Sequence, residues 1–145
     1  MRTLRACVAL LTLALCGGCL GDGGSVMLTV GQAMGVTPAL SGYTASNATA
    51  NTDSDGFVHF TATSSQGTLT MLVVGPLAAG QIADLAQQHN FVSIDIPGAG
   101  WSSNGGMLAV DGVSPYRVRF LAVPMLRGSG SAMGSFVLDG SGTFK

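Results

Sequence analysis

Residues 57–74, Phe-Val-His-Phe-Thr-Ala-Thr-Ser-Ser-Gln-Gly-Thr-Leu-Thr-Met-Leu-Val-Val, decide the fold class. Two β-rich runs, Phe57 to Thr63 and Thr68 to Val74, flank Ser64-Ser65-Gln66-Gly67, which is the pattern of a hairpin. Successive side chains of a strand point to opposite faces, so Val58, Phe60 and Ala62 share one face and Leu69, Met71 and Val73 can pack with them. His59 and Thr61 then face the other way.

Working outward, Val26 to Val30 reads as a first strand. Residues 41–56 are small and polar and read as a long surface loop, with an edge strand near Tyr43. Pro76 to Asn90 carries Ile82, Leu85, Ala86 and His89 at spacings of three and four, with proline at a first-turn position, and so predicts a helix. Phe91 to Ile96 alternates as a strand that Pro97-Gly98-Ala99-Gly100 ends. Met107 to Val110 and Val113 onward flank Asp111-Gly112, a tight-hairpin signal. Tyr116 to Val123 is the longest strand, Arg127 to Ala132 a Gly/Ser turn, and Phe136–Leu138 and Thr143–Phe144 close around Asp139-Gly140. The expected class is mainly β: an antiparallel β-sandwich or small barrel with one added α-helix.

Composition agrees with that class. Glycine numbers 22 and charged residues make up 9% of the chain, against about 25% in an average soluble domain. Beyond the leader the bases are Arg117, Arg119, Arg127 and Lys145, against seven aspartates and no glutamate. That balance excludes the basic footprint of a nucleic-acid-binding surface.

The N-terminus tells where the chain goes. Arg2 and Arg5 precede an apolar run, Cys7 to Leu15, which ends at Cys16-Gly17-Gly18-Cys19. A charged start, a short apolar stretch and small residues form a secretory signal. The run is about half the twenty or so residues that a membrane-spanning helix needs. Residues 15–19, Leu-Cys-Gly-Gly-Cys, resemble the lipobox of bacterial lipoproteins, with Gly17 and Gly18 at its small positions and Cys16 where leucine is usual. The resemblance implies cleavage after residue 18, diacylglycerol on Cys19 and attachment to a membrane. Leu20, in place of an aspartate, implies the outer membrane. The expected organisation is a signal over 1–18, a flexible tether over 19–25 and a single domain over 26–145. The other reading of Cys16-x-x-Cys19, a redox pair, lacks the strand-to-helix setting that such a motif occupies. All three cysteines, Cys7, Cys16 and Cys19, lie in this region.

The candidate sites are few. Asn51-x-Asp53-x-Asp55-Gly56 places oxygen ligands at positions one, three and five and glycine at six, as a calcium loop does, but Ala62 stands where the bidentate glutamate belongs. It reads either as a weak calcium site or as a polar turn. Trp101, with Ser102 and Asn104, reads as an aromatic platform for a sugar or peptide, or as a core tryptophan. Arg117 and Arg119 share a strand face and can hold an anion or pair with a carboxylate such as Asp95. Asp22, Asp55, Asp111 and Asp139 each precede glycine, which is turn chemistry. Neither a Gly-x-Ser-x-Gly elbow nor a phosphate-binding glycine loop occurs.

The functional expectation is an envelope-anchored lipoprotein with a non-enzymatic binding or structural role, its partner an envelope protein or glycan and its location the outer membrane. Two alternatives stand beside it. One is a hydrolase using Asp95 with His59 or Asp53; the other is a calcium-stabilised surface module.

Overall fold

The structure, a computed structural model, describes residues 23–130 and 133–145. The signal, Cys19 and the first part of the expected tether lie outside the described residues, as do the last two residues of the expected Gly/Ser turn.

Ten strands are formed: β1 (Gly24–Thr37), β2 (Gly42–Thr52), β3 (Phe57–Ser64), β4 (Gly67–Val74), β5 (Ile82–Asp84), β6 (Phe91–Ile96), β7 (Ala99–Ser103), β8 (Met107–Val113), β9 (Tyr116–Gly130) and β10 (Met133–Phe144). The hairpin at 57–74 forms as expected, with Phe60 opposite Met71 and Ala62 opposite Leu69. Neighbouring strands run antiparallel, and β10 pairs with β1 on one edge and β9 on the other. The sheet therefore closes into an eight-stranded barrel, and the sandwich alternative falls away.

Ten strands make an eight-stranded ring because β7 and β8 lie end to end along one edge of β9. Ala99–Ser103 face Gly130–Met125, and Met107–Val113 face Leu121–Tyr116. Between them the Asn104 amide donates to the Pro124 carbonyl at 2.9 Å, which keeps the course continuous. β6 pairs with β7, and β5 with β8. On its far side β6 pairs with β4, but no ladder joins β5 to β4. Asn90 fills that gap: its Oδ1 accepts the Val74 amide and its Nδ2 donates to the Asp84 carbonyl, both at 2.8 Å. It is the one buried polar side chain among the described residues.

An eight-stranded barrel is just wide enough for side chains to fill it. Here Tyr43, Phe60, Trp101, Phe120, Phe136 and Phe144 do so, each almost wholly buried. Phe60 meets Tyr116 and Phe144 edge-on at centroid distances of 5.3 and 5.1 Å, and Trp101 meets Phe136 at 5.5 Å. The Tyr43 hydroxyl donates to the Ala62 carbonyl at 2.6 Å, and burial pushes its phenol pKa up. Outward positions across the ring carry Thr49, Thr61, Thr70, Ser93 and Ser102 in one row. The outward face also carries exposed apolar side chains, Met27, Phe91, Met107 and Leu126 among them.

Several local expectations are corrected. No helix occurs among the described residues; the expected helix over 76–90 is turns around β5. Ile82, Ala83, Asp84 and Leu85 alternate exposed and buried, so the β8 edge imposes period two on a segment whose three- and four-residue spacings matched a helix by coincidence. Residues 41–56 are not a long loop but β2 and a short turn, and β2 is paired on both sides instead of lying at an edge. Its small residues suit a strand packed between neighbours. Gly24 and Ser25, expected in the tether, begin β1. A side chain at Gly24 would strike the carbonyls of Thr143 and Ala48, so the close approach of β10 and β2 accounts for glycine there. Ala99 and Gly100 open β7 where a loop was expected.

The Asp-Gly pairs divide. Asp55-Gly56 does make the β2–β3 turn, but Asp111-Gly112 lies inside β8 and the chain reverses later, at Ser114-Pro115. Asp111 is an extra residue between the pairs Val110↔Val118 and Gly112↔Arg117, a bulge. Asp139 faces a bulge in β9, where its Oδ1 accepts the amide of Ala122 at 2.8 Å. Residues that tolerate unusual backbone serve bulges as well as turns.

Replacing Asn90 with alanine orphans the Val74 amide and the Asp84 carbonyl together. The expected loss is about 2–4 kcal/mol, since each buried unpaired group costs about 1–3 kcal/mol. Hydrogen exchange at Val74 should accelerate with it, and an unchanged rate there would remove the bridging role.

Candidate functional site

Trp101 is not a platform. It lies on β7 with its ring wholly buried against Phe136, pointing into the barrel, while Ser102 and Asn104 face outward. Strand alternation puts Trp101 and Ser102 on opposite sides of the wall, so they cannot line one site. The indole Nε1 has no hydrogen-bond partner among the described residues.

The calcium-loop residues meet in a different arrangement. Asp53 turns back onto its own loop, its Oδ1 accepting the amides of Asp55 and Phe57 at 3.0 and 2.9 Å. Its Oδ2 accepts His59 Nε2 at 2.7 Å. These are the interactions of an Asx turn, and they engage both carboxylate oxygens. Asn51 sits on β2 opposite His59 and is exposed. Among the described residues no three His, Cys, Asp or Glu gather as a metal would require. The His59 hydrogen bond, followed by the two amides, holds the Asp53 carboxyl below its ordinary value of 3.8.

The aspartate–histidine pair was legible only in part: both residues were candidates, but their contact depends on the β2–β3 turn. Asp95 does not join them. His59 faces Leu72 and then Phe91, and Asp95 lies four residues further along β6. At about 3.3 Å per residue and about 4.8 Å per strand, that is about 13 Å along the sheet and about 10 Å across it. A base must come within hydrogen-bond reach of its proton, so this trio forms no common acid–base site.

Arg119 finds a carboxylate, but it is Asp111 and not Asp95. The β8 bulge aims Asp111 at Arg119, with Nε donating to Oδ2 at 2.7 Å and the second guanidinium nitrogen to Oδ1 at 2.9 Å. This two-pronged bond, and the charge behind it, lowers the Asp111 pKa and raises that of Arg119. The expected anion site is thereby occupied by the protein's own carboxylate. Arg117 lies over Gly112, close enough that a side chain at Gly112 would meet its guanidinium.

Two surface recesses stand out among the described residues. One, about 440 Å³, lies along β1 and β2 beside Ser64 and Ser65. The other, about 400 Å³, sits at a barrel end among Ala50, Val113, Pro115, Tyr116, Phe144 and Lys145. Neither holds the Asp53–His59 pair. The end recess had no signal in the sequence, because its walls come from β2, β10 and the turn between β8 and β9. Comparison with protein-family models, curated proteins and solved structures finds no match for this chain.

Two outcomes follow. Trp101→Ala should cost about 3–5 kcal/mol, whereas Trp101→Phe, which keeps a ring and removes the unpaired Nε1–H, should stay within about 1.5 kcal/mol of the parent. Thermal denaturation of the two variants distinguishes core from surface, since an exposed platform would lose little in either. For Asp53, the folded pKa is depressed, so its contribution to stability is complete above the unfolded value and disappears as pH falls through the folded one. His59→Ala should move the Asp53 midpoint upward in a carboxyl-detected NMR titration, and an unmoved midpoint would break the assigned cause.

Proposed function

We propose that the protein is a lipid-anchored module of the bacterial envelope with a non-enzymatic binding or structural role. The observation that carries this reading is the filled barrel. Its interior is occupied by Trp101, Phe60, Phe120, Phe136 and Phe144, leaving binding to the surface. The polar groups with chemical potential are engaged within the protein: Asp53 by its own turn and His59, Asp111 by Arg119. Neither group lies in a recess with a nucleophile. A closed barrel also suits a chain held at a membrane surface, since it has no long unpaired edge open to strand addition along its wall.

The attachment follows from residues 15–19 and their likeness to a lipobox. Export would carry the chain to a compartment where small domains often depend on disulfides. With cleavage before Cys19 the remaining chain has no other cysteine, and the barrel supports itself by burial and a closed hydrogen-bond ladder. The partner is an envelope protein or glycan, met at the outer wall or the barrel ends, and the location is the outer membrane.

The test is the intact mass and N-terminal residue of the protein purified from its native membrane fraction. A chain beginning at Cys19 and carrying diacylglycerol is expected. A water-soluble product retaining unmodified Cys16 and Cys19 would overturn the anchored reading.

A further inference from the structure

The ring places one group of features at a single end. Gly24 opens β1 beside Thr143 and Ala48, the β2–β3 turn lies at residues 53–56, and the β8–β9 turn lies at Ser114-Pro115. Lys145 continues β10 onto β2, its amide donating to Ala48 and its carbonyl accepting from Ala50. The recess of Val113, Pro115, Tyr116 and Phe144 opens at this same end. Opposite lie the turns after β3, at 64–67, and after β6, at 97–98.

We propose that the end bearing Gly24, the Val113–Tyr116 turn and Lys145 is seated on the lipid surface to which the chain is attached. This inference rests on the anchored reading above. Its first support is the length of chain before the barrel. Four residues separate Cys19 from Gly24, so the five Cα-to-Cα steps reach at most about 18 Å at ~3.6 Å per step. β1 itself runs 14 residues from Gly24 to the far end, about 46 Å of strand at ~3.3 Å per residue and still about 35 Å of height at a barrel tilt of about 40°. The connection is too short to climb the wall, so the end at Gly24 stays next to the membrane.

The second support is the chemistry of that end. Val113 is 40% exposed on the β8 edge, Tyr116 is half-buried on the recess, and Lys145 is exposed beside them. A tyrosine ring with an apolar body and polar tip suits the headgroup level of a bilayer. Lysine can lay its stem along the apolar recess and direct its ammonium to phosphate. Arg117, exposed two residues beyond the turn tip, adds a second cation, and Asp111 and Arg119 neutralise one another. The acids of this end, Asp53 and Asp55, sit together on the β2–β3 turn, and Asp53 is engaged there. The occupant of the recess is therefore the interfacial layer of the membrane, not a soluble ligand.

The experiment uses the acylated full protein with a single introduced thiol. Ser114→Cys reports on the proposed membrane end and Ser65→Cys on the opposite end; both positions are exposed in turns. Each is labelled with an environment-sensitive fluorophore and placed in vesicles of phosphatidylethanolamine and phosphatidylglycerol containing a headgroup-nitroxide lipid. Quenching at residue 114 should exceed that at residue 65 several-fold. Equal quenching, or the reverse order, in protein whose mass includes diacylglycerol overturns the orientation while leaving the anchor intact. A mass without diacylglycerol overturns the anchored reading and the orientation with it.

Discussion

Everything in this fold depends on β10 being paired along both edges. Its ladder with β1 and its ladder with β9 turn a meander into a ring. Closure defines an inside, and an inside gives meaning to the alternation of every strand. Without that seam, Val26, Phe136 and Leu138 would line an open sheet and the two outermost strands would each offer a row of unpaired backbone groups. With it, backbone polar groups are satisfied around the circumference and apolar side chains need no second layer to cover them.

Closure also sets a fixed number of places, and the chain meets it unevenly. β9 is long, and its partner course is broken into β7 and β8; the next course is broken into β5 and β6. The break leaves one position where β4 has no strand to bond. Asn90 occupies it with one acceptor and one donor, doing with a side chain what a ladder does elsewhere. Burying an amide is tolerable because both of its ends find backbone partners.

The charged residues serve the wall more than any ligand. Asp53 closes a turn, Asp139 satisfies an amide opposite a bulge, and Asp111 is presented to Arg119 by a bulge. Three of the seven aspartates are thus engaged by the fold itself. They also tie the surface to local geometry, so that the two ends of the barrel differ in chemistry. One end receives the incoming chain and has an apolar recess with lysine at its rim, whereas the other carries the turns at 64–67 and 97–98 together with the exposed Met34 and Met133.

The sequence by itself determined the strand-rich class, the 57–74 hairpin and the inward set Val58, Phe60, Ala62, Leu69, Met71 and Val73. These depend on period-two alternation, which is local and readable. It also marked Asp-Gly pairs and Trp101 as special without saying how. The tertiary structure alone decided that Pro76–Asn90 would be turns and a short strand, that 42–52 would be an interior strand, and that Trp101 would fill the barrel. It alone brought Asp53 to His59 and Asp111 to Arg119. The reason is that a weak local preference for helix or loop is overridden once a neighbouring strand offers backbone partners. Which residues meet across the ring is set by register and bulges, and these exist only when the seam closes.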